Sequence, residues 1–199
     1  MVARLIILGG AAYGGWWAYQ NGHLDAVIER LGLPFGDGVG QGATPASAAI
    51  PEGNSGIREL DWLTDNIDVV SDWSRRNLIW TAAMMHQESR GKPGAKSHAN
   101  ARGLMQVIPS TAQQMWNAGN RKFSADPANL YDPRASIYFG TAYLQYLSGI
   151  RSDRDWMTRA YNAGPGGQRK DGTWPRETVD YLAKVKQHYA RFTASVRSA

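Results

Sequence analysis

A run rich in glycine, alanine, serine and proline divides this chain of 199 residues. It extends from residue 35 to 56 and reads FGDGVGQGATPASAAIPEGNSG, a composition typical of a flexible linker. From about Ile57 onward, apolar residues recur at helical spacing to the end of the chain, and no alternating strand pattern interrupts them. We therefore expect a mainly α-helical domain over residues 57–199 and a separate segment over residues 1–34.

The N-terminal segment contains 15 consecutive uncharged residues, from Leu5 to Tyr19. As a helix this stretch is ~22 Å long, somewhat short of the ~30 Å hydrocarbon core of a bilayer. Trp16 and Trp17 suit the level of the lipid headgroups, and Arg4 favours a cytoplasmic N-terminus. Residues 1–20 are thus expected to contact a membrane as an anchor; a cleaved signal peptide and a helix packed on protein stay open. A short amphipathic helix is predicted before the linker.

Charge and residue usage narrow the functional classes. The absence of cysteine excludes disulfides, thiolate nucleophiles and cysteine zinc sites, and the four histidines are scattered, so neither a metal nor a cofactor is expected. Residues 1–55 hold two arginines against four acids, whereas the rest of the chain has a net charge of +7. A basic domain favours a polyanionic partner. No basic motif interleaved with aromatic residues is present, so nucleic acid is not expected.

Capping residues and prolines predict where the helices of the domain begin and end. The expected helices run from Ser71 or Asp72 to about Gln87, from Pro109 to Trp116, from Asp132-Pro133 to about Leu147, from a capping box at Ser152 and Asp155 to Gly164, and from Pro175 onward. The spacing predicts that one face of the last helix is buried, formed by Val179, Leu182, Val185 and Tyr189.

Glu88 stands at the predicted end of an apolar helix. Trp80, Met84 and Met85 precede it. Apolar neighbours disfavour the ionised carboxylate and raise its pKa, which produces a general acid that keeps its proton near neutral pH. Taken alone, the position is better explained by an exposed glutamate at a helix end.

Four motifs in fixed order resolve this ambiguity. They are Glu88-Ser89, Gly103-Leu104-Met105-Gln106, the run AYNAGPG over residues 160–166, and Glu177-Thr178 followed by Tyr181. Together they resemble the soluble lytic transglycosylase family, lysozyme-like enzymes that cleave peptidoglycan, over roughly residues 72–190. The resemblance implies a mainly α, lysozyme-like SLT domain, preceded by the N-terminal hydrophobic helix and the linker, which lie outside it.

The resemblance also implies roles for individual residues. Glu88 is expected to be the single catalytic acid and later the base. Residues implied to bind or orient the substrate are Ser97, Met105, Gln106, Tyr161 and Asn162, and residues implied to support the site are Ser89, Glu177 and Tyr181. Glu177 would also suit the first turn of a helix electrostatically. Trp116, Trp156 and Trp174 are candidates for sugar stacking or for the core.

The implied substrate is the glycan strand of peptidoglycan, cleaved between MurNAc and GlcNAc to give 1,6-anhydro-MurNAc ends. Residues 89–124 contain no Asp or Glu, which favours a route with one carboxylate over the usual pair. A hydrolytic lysozyme-type muramidase and a non-catalytic wall-binding assembly module are the alternatives. The setting is either the bacterial periplasm, with the chain anchored in the inner membrane, or a phage virion or secretion apparatus that opens the wall.

Overall fold

A computed structural model describes residues 55–118 and 126–198. Within these ranges the fold is built from α-helices and one 3-10 turn, and no strand occurs beyond isolated bridges near residues 96–107. The prediction of a mainly α-helical domain is therefore confirmed for the described residues. The helices are α1 (Arg58–Asp65), α2 (Asp72–Arg75), α3 (Leu78–Ser89), α4 (Pro109–Asn117), α5 (Pro133–Ile150), α6 (Arg154–Ala163) and α7 (Arg176–Ser198), with the 3-10 turn at Ile67–Val69.

Prolines and capping side chains set the helix starts much as expected. Helices α4 and α5 begin at their prolines, and the Asp132 side chain accepts a hydrogen bond from the backbone N–H of Arg134. For α6 the predicted capping box is wrong by one position, because Asp153 rather than Ser152 accepts the N–H of Trp156. The end of α6 at Gly164 is confirmed.

The helix predicted from Ser71 to Gln87 is two helices. Ser71 caps the single turn of α2, and a break at residues 76–77 separates it from α3. At this break, the Asn77 side chain donates to the carbonyl of Trp73 in α2. Helix α1, which the sequence did not predict, supplies buried Leu60, Trp62 and Leu63.

Helix α3 forms the centre of the domain and carries Glu88 at its end. Its residues from Trp80 to Met85 are all buried, because α1, α2 and α7 pack against it from different directions. Helix α7 lies along α3 and also packs on α6. The last helix of the chain therefore meets the end of α3 beside Glu88.

The buried face of α7 differs by part of a turn from the predicted one. Leu182 and Val185 are buried as expected, but Val179 is 46% exposed. Thr178 and Tyr181 are buried instead. Residues three and four apart share one face of a helix, so Thr178, Tyr181 and Val185 lie on the buried face and Val179 lies outside it.

None of the helices within residues 55–118 and 126–198 is long and apolar enough to cross a bilayer. The predicted anchor in residues 1–20, the short amphipathic helix that follows and nearly all of the linker over residues 35–56 lie outside the described residues.

Candidate active site

The last turn of α3 carries Glu88, and α7 packs against it there through Tyr181. The carboxyl group is surrounded by protein although part of the residue stays open to solvent, and the Tyr181 hydroxyl donates a 2.6 Å hydrogen bond to Glu88 Oε1. Burial raises the pKa of Glu88 to about 7, and the hydrogen bond from Tyr181 opposes part of this rise. Among the described residues, no carboxylate contributes to the shift.

This geometry distinguishes the two oxygens of the carboxyl group. Oε1 is occupied by Tyr181, so a proton on Glu88 is best carried by Oε2. A group with a pKa near 7 is populated in both protonation states at neutral pH, which suits a residue that first gives and then takes a proton. The site can therefore supply an acid and a base from one side chain.

Next to the end of α3, the turn over residues 103–106 is held by serine side chains of α3 and α5. The Ser89 hydroxyl donates to the carbonyl of Leu104 at 2.7 Å, and the Ser136 hydroxyl accepts the N–H of Met105 at 3.0 Å. Gly103 has a φ of 77°, and a Cβ there would lie 1.9 Å from the carbonyl oxygen of Leu130. Glycine at this position lets the turn pack directly against the neighbouring loop.

Tyr161 binds that turn and lies near enough to Glu88 to respond to its charge. Its hydroxyl donates to the carbonyl of Met105 at 2.8 Å. Burial, and after it the charge of Glu88, raises the pKa of Tyr161 well above its ordinary value. Tyr161 therefore stays protonated and keeps its donor role whatever the state of Glu88.

Met105 and Gln106 occupy different environments. The Met105 side chain is fully buried, so the expectation that it lines a sugar groove fails for the side chain, and only its backbone carbonyl reaches Tyr161. The reason is Gly140, whose missing side chain makes room for Met105 on α5. Gln106 is half-buried, and its amide donates to the carbonyls of Ala95 and Gly103 at 3.0 and 2.9 Å.

Ser97 lies in the loop that leads to this turn. Its hydroxyl accepts the N–H of Ala101 at 3.1 Å, and its own N–H bonds the carbonyl of Ala101. Within the described residues it makes no hydrogen bond to Glu88. The structure thus shows Ser97 shaping its loop and does not bring it into contact with the carboxyl group.

A cleft of about 380 Å³ opens next to Tyr181, between the ends of α3 and α6 and the first turns of α7. Asn162 stands on one wall, where the Thr178 hydroxyl donates to its side-chain oxygen at 2.9 Å. Glu177, an exposed residue of the first turn of α7, lines the cleft without contacting Glu88. The lining residues are Gln87, Asn162, Arg176, Glu177, Asp180, Tyr181 and Lys184.

The three candidate tryptophans do not line this cleft. Trp156 and Trp174 are buried in the core, and Trp116 packs on Phe139 with ring centroids 6.5 Å apart. In the part of the chain that the structure describes, no group of three or more histidine or carboxylate side chains could hold a metal ion.

Comparison with known proteins identifies the domain. A family model described as the transglycosylase SLT domain matches residues 74–181, more than half of the chain. The chain belongs to this family. The match confirms the resemblance seen in the four motifs, and it encloses every site residue from Glu88 to Tyr181.

Curated relatives of the SLT domain are similar over about half of this chain. The soluble lytic murein transglycosylase of Escherichia coli K12 is 38% identical over 96 residues, which are 48% of this chain and 14% of the relative. The membrane-bound lytic murein transglycosylase C of Haemophilus influenzae PittGG is 37% identical over 115 residues, 53% of this chain and 32% of the relative. The chain therefore spans only about a seventh to a third of these relatives.

A solved structure supports the fold of the SLT domain. It is an inactive mutant of lytic transglycosylase Slt from Pseudomonas aeruginosa, with a TM-score of 0.54 and 22% identity. The similarity covers 74% of this chain and 25% of that chain. At this level of identity it shows a shared helical fold.

Some residues at the site received no role from the sequence, although Thr178 belongs to the fourth motif. The Ser136 hydroxyl accepts the N–H of Met105, and the Thr178 hydroxyl donates to the side chain of Asn162. Neither bond joins residues that are close in sequence. Asp180 and Lys184 line the cleft because they follow Arg176 and Glu177 at helical spacing. That spacing was the one available signal for these two residues.

Proposed function

We propose that the SLT domain is a peptidoglycan lytic transglycosylase that cleaves the MurNAc–GlcNAc β-1,4 bond without water and leaves 1,6-anhydro-MurNAc ends. The observation that carries the proposal is the Glu88 carboxyl, buried so that its pKa is about 7 and held by Tyr181. The names of the relatives, lytic murein transglycosylases from two bacteria, support the same reaction.

In the first step Glu88 acts as a general acid. Protonated Glu88 donates its proton from Oε2 to the glycosidic oxygen, the bond from that oxygen to C1 of MurNAc breaks, and GlcNAc leaves with a free hydroxyl. The positive charge that develops at C1 is stabilised by the carbonyl oxygen of the 2-acetamido group of MurNAc. A substrate group thus takes the place of a second carboxylate.

In the second step the same residue acts as a base. Ionised Glu88 takes the proton from the C6 hydroxyl of MurNAc, and O6 forms a bond to C1 as the acetamido oxygen departs. This closes the anhydro ring, returns Glu88 to its protonated form and consumes no water. One group with a pKa close to the working pH serves both steps.

The remaining residues of the site are proposed to hold the glycan around Glu88. Tyr161 and Gln106 border the turn next to the carboxyl group, and Asn162 faces the cleft beside Tyr181. Ser97 would meet the substrate from its loop. Ser89 and Tyr181 support the site by fixing the turn and the carboxyl group, and Met105 contributes through its backbone.

Product analysis with matched variants tests the proposal. Purified peptidoglycan is digested with the wild-type chain and with Glu88→Gln, which keeps an acceptor for Tyr181 but cannot give up a proton. We expect ends one water lighter than hydrolysed ends from the wild type and release from the variant that is slower by about a hundred- to ten-thousandfold. Wall binding without cleavage by the wild type would instead indicate the non-catalytic assembly module.

A hydrolytic muramidase is the second candidate, and one observation favours considering it. Glu177 and Asp180 line the cleft next to Tyr181, the residue that hydrogen-bonds Glu88. Under this alternative, Glu177→Gln or Asp180→Asn would abolish activity as completely as Glu88→Gln. Under the transglycosylase proposal, neither carboxylate takes part in proton transfer, and both variants keep the anhydro product.

For the setting we propose a wall-facing location, with residues 1–20 as the membrane contact and residues 35–56 as the tether. The relative named membrane-bound supports such an arrangement. A phage virion or a secretion apparatus would suit the same domain. Retention of the full chain in vesicle membranes after an alkaline wash would support the anchor, and release into the supernatant would contradict it.

A further inference from the structure

Three tyrosines form a row that leads away from the catalytic glutamate. Tyr161, whose pKa is raised by burial and also by the charge of Glu88, contacts Tyr143 of α5 with ring centroids 5.4 Å apart. Tyr143 in turn stacks on Tyr146, at 6.1 Å between centroids and only 14° between ring planes. We call Tyr161, Tyr143 and Tyr146 the tyrosine row.

The outer end of the tyrosine row is open to solvent. Tyr146 is 42% exposed, whereas Tyr143 is half-buried and Tyr161 has its hydroxyl bonded inside the protein. Tyr143 and Tyr146 are three residues apart and therefore share one face of α5. Tyrosine combines an apolar face with a polar edge, so an exposed ring that adjoins another aromatic ring offers a surface on which a ligand with an apolar face can pack.

The chemistry of this surface differs from that of the cleft beside Tyr181. The cleft presents two cations and two carboxylates on α7, while the tyrosine row presents aromatic faces. Sugar rings have an apolar face of C–H groups that packs on an aromatic ring, with hydroxyls around the edge for hydrogen bonds. The row is also continuous with the proposed site through Tyr161.

We propose that the tyrosine row is an extended glycan-binding subsite, in which the exposed ring of Tyr146 stacks on a sugar of the same strand, removed from the bond that Glu88 cleaves. This inference rests on the proposed function for the identity of the glycan. Such a contact is the same before and in the transition state, so its loss raises KM and leaves kcat unchanged.

Kinetics on peptide-free glycan strands of increasing length test the subsite. For Tyr146→Ala we expect kcat/KM on long strands to fall about three- to tenfold through KM, the range that one aromatic contact supplies. The fall is absent for strands too short to reach the ring. Tyr146→Phe, which keeps the ring, should match the wild type.

Tyr131→Ala is the matched control. Tyr131 is similarly exposed, at 39%, and it faces the guanidinium of Arg102 rather than the tyrosine row. Equal kinetics of Tyr146→Ala and the wild type at every length would overturn the subsite, and so would an equal loss at every length or the same pattern in Tyr131→Ala.

A binding measurement separates this inference from the proposed function. In the Glu88→Gln background no strand is cleaved under the proposal, so the affinity for long glycan strands can be measured directly. Adding Tyr146→Ala should weaken binding of long strands about three- to tenfold. If the wild type yields no anhydro product but this affinity difference persists, the proposed reaction is wrong and the subsite stands. An unchanged affinity contradicts the subsite whatever the reaction.

Discussion

The carboxyl of Glu88 links the stability of the domain to its chemistry. Burial holds its pKa at about 7, against an ordinary value of 4.5 in the unfolded chain. The native state therefore binds the Glu88 proton more tightly than the unfolded state does. The stability gained in this way is complete below pH 4.5 and is lost as the pH rises through 7.

Replacing Glu88 by glutamine removes the titrating group and with it the loss of stability at rising pH. We expect Glu88→Gln to gain stability relative to the wild type on going from pH 4 to pH 8, by about 1–3 kcal/mol after allowance for the partial solvent access of the site. Urea unfolding across this pH range measures the difference. A gap between the two proteins that stays constant with pH would show that Glu88 titrates normally.

The hydroxyl of Tyr181 is predicted to tune the same carboxyl. Its hydrogen bond stabilises the ionised form of Glu88 and so lowers a pKa that burial raises. Tyr181→Phe should move the alkaline limb of the kcat–pH profile to higher pH and reduce kcat about tenfold, because the carboxyl loses its orienting bond.

Tyr189→Phe provides the control for this variant. Tyr189 lies on the same helix and packs its ring on Trp80, with centroids 5.1 Å apart. Loss of its hydroxyl should leave the pH profile where it is in the wild type. A downward shift of the alkaline limb in Tyr181→Phe would contradict the assigned role.

At the scale of elements, the contact between α5 and the turn over residues 103–106 fixes Met105, whose carbonyl accepts the hydrogen bond from Tyr161. A Cβ at Gly140 would lie 2.5 Å from Met105 Cβ and 2.7 Å from its Cγ. Gly140→Ala should therefore destabilise the domain by about 1–3 kcal/mol through overpacking, and it should reduce activity because Met105 carries the carbonyl that Tyr161 binds.

Gly149 on the same helix is the matched control for Gly140. Nothing lies within 4 Å of a Cβ added there. Gly149→Ala should stabilise the domain by up to about 1 kcal/mol, through helix propensity alone. Thermal unfolding of both variants measures the contrast, and equal destabilisation would show that the contact with Met105 is not the cause.

The sequence predicted those elements whose signals are local. Pro109, Pro133 and Gly164 mark real helix boundaries. Glu88 lies in the last turn of an apolar helix, as the sequence predicted. Features that arise from packing between distant segments were not predictable in this way. The burial of Met105 depends on Gly140, and the exposure of Val179 depends on which face of α7 meets α3.

At the site, too, the residue with a local sequence signal was predicted, whereas contacts between distant segments were not. Glu88 was predicted from its apolar neighbours and its motif. The hydrogen bond from Tyr181 crosses 93 positions of sequence, and the bond from Thr178 to Asn162 joins two helices. Only the packing of α7 against α3 and α6 brings these groups together, so neither spacing nor composition could reveal their contacts.

At the scale of the whole molecule, α1, α3 and α7 meet at a cluster of histidines. His86 bonds the buried carboxylate of Glu59 at 2.9 Å, and the rings of His86 and His188 lie 4.5 Å apart. Burial, followed by the charges of His86 and Arg191, lowers the pKa of His188; Glu59 opposes this and Arg90 adds to it. A histidine with a lowered native pKa favours the unfolded state as acid is added.

Stability supplied by a neutral His188 is therefore complete above its unfolded pKa of about 6.5 and declines as the pH falls through that value. We expect His188→Gln to lose less stability than the wild type between pH 7.5 and pH 5.5. Denaturant unfolding at both values measures this. His98→Gln, in an exposed loop, controls for the loss of an imidazole, and an unchanged decline in His188→Gln would contradict the prediction.

The proposed division of the whole chain is testable by limited proteolysis. If residues 35–56 form a linker, brief protease treatment of the full chain cuts there first and leaves a resistant fragment that begins near Ile57. Mass analysis of the fragments identifies the cuts. First cuts within α3 or α7 would contradict a folded domain over residues 57–199.

The central claim is that Glu88 alone cleaves the glycan and that no water enters the product. Digestion of peptidoglycan by the full chain in oxygen-18-labelled water tests it most directly. The account predicts new MurNAc ends that carry the anhydro ring and no label, with their formation lost in Glu88→Gln and kept in Glu177→Gln and Asp180→Asn. Reducing ends that carry one labelled oxygen would contradict it and would identify the enzyme as a hydrolase.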